Sequence, residues 1–246
     1  MFAYTAPENL LENKIILVTG AGDGIGRAAA KSFAAHGATV ILLGRTEEKL
    51  EQVYDEIEAA GHPQPAIVPL NLETATETDY DNLAATLEQE FGRLDGLLHN
   101  AGLLGLRTPI ESYDPTIWQR VMQVNVNAAF MMTQALLSLL QQSDDASIVF
   151  TSSGVGRQGR AFWGAYSVSK FATEGMMQIL ADELEQTSNI RVNCINPGAT
   201  RTNMRTSAYP AEPPTDNPKP EEIMPVYLYL LGTDSKSTNG QSLNAQ

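Results

Sequence analysis

Short apolar runs alternate with amphipathic stretches along most of the chain. Residues 14–19 (KIILVT), 38–43 (ATVILL), 65–70 (PAIVPL), 94–99 (LDGLLH), 147–151 (SIVFT) and 190–195 (IRVNCI) are each five or six residues long. They are rich in β-branched and aliphatic side chains and stop at glycine or other turn formers. Between them, residues 25–36, 46–60, 76–91, 115–141 and 166–186 carry helical periodicity, and Gly37 ends the first of these stretches. Near-continuous apolar strands separated by helices predict βαβ units, with the strands buried on both faces. The expectation is one α/β domain spanning 1–246, built on a doubly wound parallel sheet of six strands with helices on both sides. No internal repeat and no linker interrupts it.

After Asn196-Pro197-Gly198 the pattern changes. Pro210, Pro213, Pro214, Pro218 and Pro220 punctuate a stretch without periodicity, followed by a short helix at 222–231 and a tail. This stretch leaves the carboxyl end of the sixth strand, where doubly wound sheets bind their ligands. Residues 201–220 are therefore expected to form a substrate lid.

Composition narrows the function classes. A hydrophobic content of 43% supports a large core, and a net charge of −13 lacks the basic footprint that phosphate backbones require. Cys194 is the sole cysteine and His36, His62 and His99 are scattered, so neither a disulfide framework nor a metal site is expected. The first residues lack a basic segment leading into an apolar one, and no run approaches the ~20 apolar residues that span a bilayer. A cytoplasmic protein is expected, with no nucleic-acid or membrane partner.

Two motifs carry chemistry. The first strand leads into Thr19-Gly20-Ala21-Gly22-Asp23-Gly24-Ile25-Gly26 and then a helix, a Rossmann-type arrangement in which glycines let the backbone approach a pyrophosphate. The useful glycines are Gly20, Gly24 and Gly26, and no Gly-Lys-Ser/Thr follows to make a P-loop. Tyr166 and Lys170 stand four residues apart, on one helical face. A phenol needs about 4 kcal/mol of preference for its anion to titrate near neutrality. A cation at about 4 Å supplies roughly that at an intermediate effective dielectric.

In series, Gly20-x3-Gly24-x-Gly26, Asn100-Ala101-Gly102, Asn125, Ser153, Tyr166-x3-Lys170 and Pro197-Gly198-x3-Thr202 resemble the short-chain dehydrogenase/reductase family from residue 14 to the C-terminus. Residues 154–160 and 170–175 are further similar to bacterial YciK-type oxidoreductases within it. The resemblance implies that Tyr166 is the general acid in carbonyl reduction and the base in alcohol oxidation, and that Lys170 lowers its pKa and binds the nicotinamide ribose. Ser153, thirteen residues before Tyr166, would bond the substrate oxygen, with Ser152 as the competing choice. Asn125 would hold helix geometry and a water leading to Lys170, with Asn127 as the alternative. Asn100, Ala101 and Gly102 would lie near the adenosine half of the cofactor, and Pro197, Gly198, Thr200 and Thr202 near the carboxamide and diphosphate. His99, where the family often has asparagine, is expected to be a packed residue.

Cofactor choice turns on the end of the second strand. The carboxylate that would bind the ribose of NAD is missing there; Gly44 and Arg45 follow instead, and a guanidinium suits a 2′-phosphate. Asp23 argues the other way, and Asn71-Leu72, with Ile25 in the glycine turn, completes the expected contacts. NADP is favoured, with NAD as the alternative. The expected activity is interconversion of a small carbonyl compound and a secondary alcohol, by a homodimer or homotetramer. Loop 103–109 and the lid would shape the pocket, with Phe162, Trp163 and Met204 as apolar contacts. The rival readings are a dinucleotide sensor or scaffold without catalysis, which would not need the Ser153/Tyr166/Lys170 set, and a sugar-nucleotide epimerase or dehydratase, which generally needs a larger C-terminal region.

Overall fold

A computed structural model describes residues 1–246. Seven parallel strands form one sheet in the order β3-β2-β1-β4-β5-β6-β7. They are β1 (Ile15–Thr19), β2 (Thr39–Gly44), β3 (Ala66–Pro69), β4 (Gly96–His99), β5 (Ser147–Thr151), β6 (Arg191–Asn196) and β7 (Ser242–Asn244). The helices are α1 (Gly24–Ala35), α2 (Glu47–Ala59), α3 (Glu77–Phe91), α4 (Pro115–Met122), α5 (Ala128–Gln141), α6 (Gly164–Glu185), α7 (Asn203–Ala208) and α8 (Met224–Leu231).

The sheet separates two apolar layers, and strand alternation assigns each residue to one of them. Ile16 and Val18 of β1 join α1, α2 and α8 in one core; Ile15 and Leu17 join α3, α5 and α6 in the other. Every residue of β1, β4 and β5 is buried, which is why these runs read as continuously apolar rather than alternating. Pro69 sits at the end of β3 on the sheet edge, where no neighbour needs its missing N–H.

Three features depart from the sequence-based expectation. The sheet has a seventh strand, β7, inside what reads as a tail; Cys194, Ile195 and Asn196 pair with Ser242, Leu243 and Asn244. Its three residues are too short and polar to give a hydrophobic signal. The single helix expected over 115–141 is interrupted by a π-helical turn at Gln123–Asn127, which divides it into α4 and α5. The proline-rich stretch contains a short helix, α7, capped by the Thr202 side chain accepting from Arg205 N.

His99 is packed, as expected. Its ring stacks on Phe150 with centroids 4.8 Å apart, and Nε2 lies 2.8 Å from Thr133 Oγ1. The Thr133 hydroxyl spends its proton on Ala129 O, so His99 Nε2 is the donor to Thr133. Burial pushes the imidazole pKa down to about 3, so the ring is neutral at every ordinary pH. The unfolded chain binds a proton at this residue below about 6.5 while the folded one does not, so stability falls as pH drops through that window and levels off near 3. Between roughly pH 7 and pH 4, His99 alone is expected to remove about 3 kcal/mol of unfolding free energy. Urea titrations of wild type and His99→Asn at both pH values measure this; an equal pH dependence in the two proteins would refute it.

Candidate active site

The chain leaves β1 through Thr19, whose hydroxyl organises the crevice between β1 and β4. Thr19 Oγ1 accepts from Asn100 N at 2.9 Å and Ala101 N at 3.0 Å while donating to Leu98 O at 3.3 Å. Asn100 Nδ2 returns a bond to Thr19 O. The glycine turn follows, with Gly20 and Gly24 at φ +68° and +52°, values that side-chain-bearing residues rarely adopt. Gly26 is required by contact: a Cβ there would lie 2.2 Å from Gly20 O. Gly26 therefore sits beneath the cleft and lets α1 pack against the turn, while Gly20, Asp23, Gly24 and Ile25 line the cleft itself.

Asp23 caps α1 by accepting from Gly24 N at 2.7 Å, and its second oxygen is 2.7 Å from Lys49 Nζ. Asn203 Nδ2 adds a third contact at 3.1 Å. The Lys49 bond is the largest cause holding the Asp23 carboxyl below its usual range. Asp23 was expected to oppose a phosphate. In the structure Lys49 faces its charge, a residue that the sequence reading passed over. Lys49 lies in the first turn of α2, four residues after Arg45 in the loop that leads into it, and that nearness in sequence is the signal that was available. Arg45 lines the same end of the cleft, exposed and without a hydrogen bond or ion pair. Asn71 and Leu72 face it, and Asn71 Oδ1 also accepts from Glu73 N to shape the turn after β3.

The cleft has a volume of about 450 Å³ and runs continuously from Arg45 past the glycine turn to the ends of β5 and β6. Asn100, Ala101, Gly102, Ser153, Tyr166, Lys170, Pro197, Gly198, Thr200 and Thr202 all line it. The loop after β6 is pinned by Gln246, whose Nε2 donates to Pro197 O at 2.6 Å and Ala199 O at 3.0 Å.

At the chemical end, Lys170 Nζ donates to Thr151 O at 2.7 Å and lies 5.6 Å from the centroid of the Tyr166 ring. Burial lowers its pKa to about 8. Burial also dominates Tyr166, pushing the phenol up to about 12, while a hydrogen bond with Ser153 pulls the other way. The Lys170 ammonium is engaged by the Thr151 carbonyl. Ser153 lines the cleft and also accepts from Val155 N at 3.4 Å, whereas Ser152 is almost completely buried with a hydroxyl that has no partner.

Asn125 lies behind Lys170, inside the π-helical turn rather than in the main cleft. Its Oδ1 accepts from Leu103 N at 2.7 Å, and its Nδ2 donates to Leu103 O and Ser169 Oγ. A small cavity of about 10 Å³ is bordered by Asn125, Lys170, Thr151 and His99. Asn127 is exposed and bonded to Gln123.

The segment 201–220 covers the cleft only through its first part. Thr202, Asn203, Met204, Arg205 and Ala208 reach the lining, whereas 209–220 backs α7 from outside. Arg205 makes two 2.6 Å bonds to Glu212, and Asn217 Nδ2 donates to the same carboxylate. Arg107 lies 4.6 Å from the centroids of both Trp163 and Tyr209, and its Nη1 donates to Ala208 O. Leu103 and Leu104 line the opposite wall. Trp163 and Met204 are lining residues, but Phe162 is not: at φ +71° it points outward and is 54% exposed.

The model of the short chain dehydrogenase family matches residues 14–213. The oxidoreductase YciK of Escherichia coli (strain K12) is 58% identical over 243 residues, which cover 99% of this chain and 96% of that protein. A short chain dehydrogenase structure from Pseudomonas syringae is 64% identical, covers both chains completely and superposes with a TM-score of 0.99. One from Shigella flexneri 2a str. 301, complexed with NADP, is 57% identical over 98% of this chain and all of that one, with a TM-score of 0.95. The order of motifs, the sheet and the full-length relatives agree, and the chain belongs to the short chain dehydrogenase family.

Proposed function

We propose that this oxidoreductase interconverts a carbonyl compound and a secondary alcohol using NADP(H), with Tyr166 as the acid and base. The observation carrying this reading is the convergence of Ser153, Tyr166 and Lys170 at one end of a cleft whose other end offers Arg45 and Lys49. The cleft fits a dinucleotide. The glycine turn lacks the Cβ atoms that would fill a phosphate cradle, the α1 N-terminus faces it, and the unpaired Arg45 stands where a 2′-phosphate would lie, beside Lys49 in its pair with Asp23. The bound dinucleotide supplies or accepts the hydride.

Tyr166 donates its hydroxyl proton to the carbonyl oxygen in reduction and takes a proton from the alcohol in oxidation. A phenol raised to about 12 is fully protonated at neutral pH, the form that reduction needs. Ser153 orients the reacting oxygen against it. Lys170, held by Thr151 O, keeps a positive charge where the phenolate develops. The cavity between Lys170 and Asn125 has room for about one water, through which the phenolate is reprotonated. Of the segment 201–220, residues 202–208 serve as the lid, backed by the rest of it, in a single domain spanning 1–246. A sensor without chemistry would have no use for the Ser153–Tyr166 contact or for a buried ammonium beside it.

No helix is long and apolar enough to cross a membrane, and the reading places the enzyme in the cytoplasm. Val168, Phe171 and Ile179 form an exposed apolar stripe along α6, and Phe130 of α5 is likewise exposed. This stripe is the surface through which a homodimer or homotetramer would assemble.

Tyr166→Phe is expected to reduce carbonyl-dependent NADPH oxidation by at least about 10³-fold while leaving NADPH affinity within roughly twofold. Retained turnover would refute the assignment. Arg45→Ala should weaken NADPH binding by about tenfold, roughly one lost charge-assisted contact, and leave NADH unaffected. Calorimetric titration with both nucleotides decides that point. Phe171→Asp should shift the light-scattering mass toward the monomer, and an unchanged mass would rule out the α6 stripe as the interface.

A further inference from the structure

We infer that the carbonyl compound accepted beside Tyr166 is neutral and apolar, rather than one carrying a carboxylate or phosphate or borne on an acidic carrier protein. The inference rests on the oxidoreductase reading above and adds the chemical class of its substrate.

The wall around the reacting end is made by Leu103, Leu104, Val124, Trp163, Met204 and Ala208. Trp163, Tyr166, Val155 and Ala208 pack as one buried cluster, with Leu104 and Met204 against it. A substrate body lying here displaces water from aliphatic and aromatic surface and meets few polar partners.

Two guanidinium groups stand near enough to have served an anionic substrate, and both are already committed. Arg205 reaches the cleft, but Glu212 takes it with two bonds, Asn217 secures that carboxylate, and the Tyr209 ring lies under the guanidinium at 4.0 Å. An incoming carboxylate would have to displace one already tethered within the same lid. Arg107 is stacked on Trp163 and Tyr209 with an N–H spent on Ala208 O, and it does not reach the lining. The remaining cation at this end, Lys170, is buried and bonded to Thr151 O. Arg45 is free for an anion only at the far end of the cleft, beyond the glycine turn, where the neighbouring Lys49 is held by Asp23. A chain with a net charge of −13 also repels an acidic carrier at long range.

The lid pair therefore works as a guard. Glu212 cancels a positive charge that would otherwise select anions, and it does so from the segment that sequence reading assigned only to covering the site.

The test uses two ketones of matched shape, 4-methylacetophenone and 4-acetylbenzoate, titrated calorimetrically into the NADP⁺-loaded full chain. The neutral ketone is expected to bind about tenfold tighter, as for a carboxylate that enters an apolar site without a partner. Equal or tighter binding of the carboxylate, or no binding of the neutral ketone, overturns the inference. Glu212→Gln, which releases Arg205, should narrow the ratio at least about threefold by strengthening the carboxylate; an unchanged ratio refutes the guard. Arg205→Met removes the charge without freeing it and should keep the neutral preference, so a loss of preference there also counts against the inference. Turnover with NADPH is followed separately. Discrimination in binding without reduction of either ketone would bring down the catalytic reading of Tyr166 and leave the pocket inference standing, and reduction without discrimination would do the reverse.

Discussion

The hydroxyl of Thr19 is the fastening on which the site depends. Strand order reverses between β1 and β4, so the loops leaving these two neighbours go to opposite faces and a crevice opens above them. Thr19 Oγ1 holds the two lips at a fixed separation by accepting from Asn100 N and Ala101 N. One buried oxygen thus sets the distance between the glycine turn and the Asn100-Ala101-Gly102 loop. Gly26 then brings α1 down onto the turn, and the dinucleotide cleft is the space that remains.

Around the chemical end, burial is the dominant force, and it acts on both members of the Tyr/Lys pair in the direction of neutrality. The phenol is raised and the ammonium lowered, so each is poised by desolvation before any partner charge is considered. Lys170 is positioned there by Thr151 O, a carbonyl at the very end of β5. Sheet and site are coupled through that contact: the strand that carries the core also anchors the ammonium.

Much of this was legible in the chain because the signals were local and repeated. Six strands announce themselves as apolar runs, though β3 at the sheet edge is only half-buried, and the glycine turn, Tyr166-x3-Lys170 and the loop after Asn196 are short motifs with fixed spacing. What escaped depends on contacts between distant segments. β7 has no apolar pattern because its pairing with β6 rests on backbone bonds and an Asn196–Asn244 side-chain bond, with Leu243 its one apolar residue. Lys49 became meaningful only once α2 brought it against Asp23, 26 residues away. The charge balance of the lid is likewise invisible in a proline-rich stretch, since Arg205 and Glu212 look like two surface residues until α7 turns them together. Spacing placed Lys170 beside Tyr166, but it cannot report that the ammonium is also bonded to Thr151 O.

The wide turn at Gln123–Asn127 has a geometric consequence of its own. Each residue advances an ordinary helix by about 100°, so one extra residue in a loop of helix rotates everything downstream by that angle. Here the offset lets Asn125 reach Leu103 and Ser169 while Met132, Leu136 and Leu139 of α5 still face the sheet. A regular helix through the same residues would satisfy only one of those orientations. Removing a single residue would give straighter local geometry and turn either the asparagine or the apolar flank toward water.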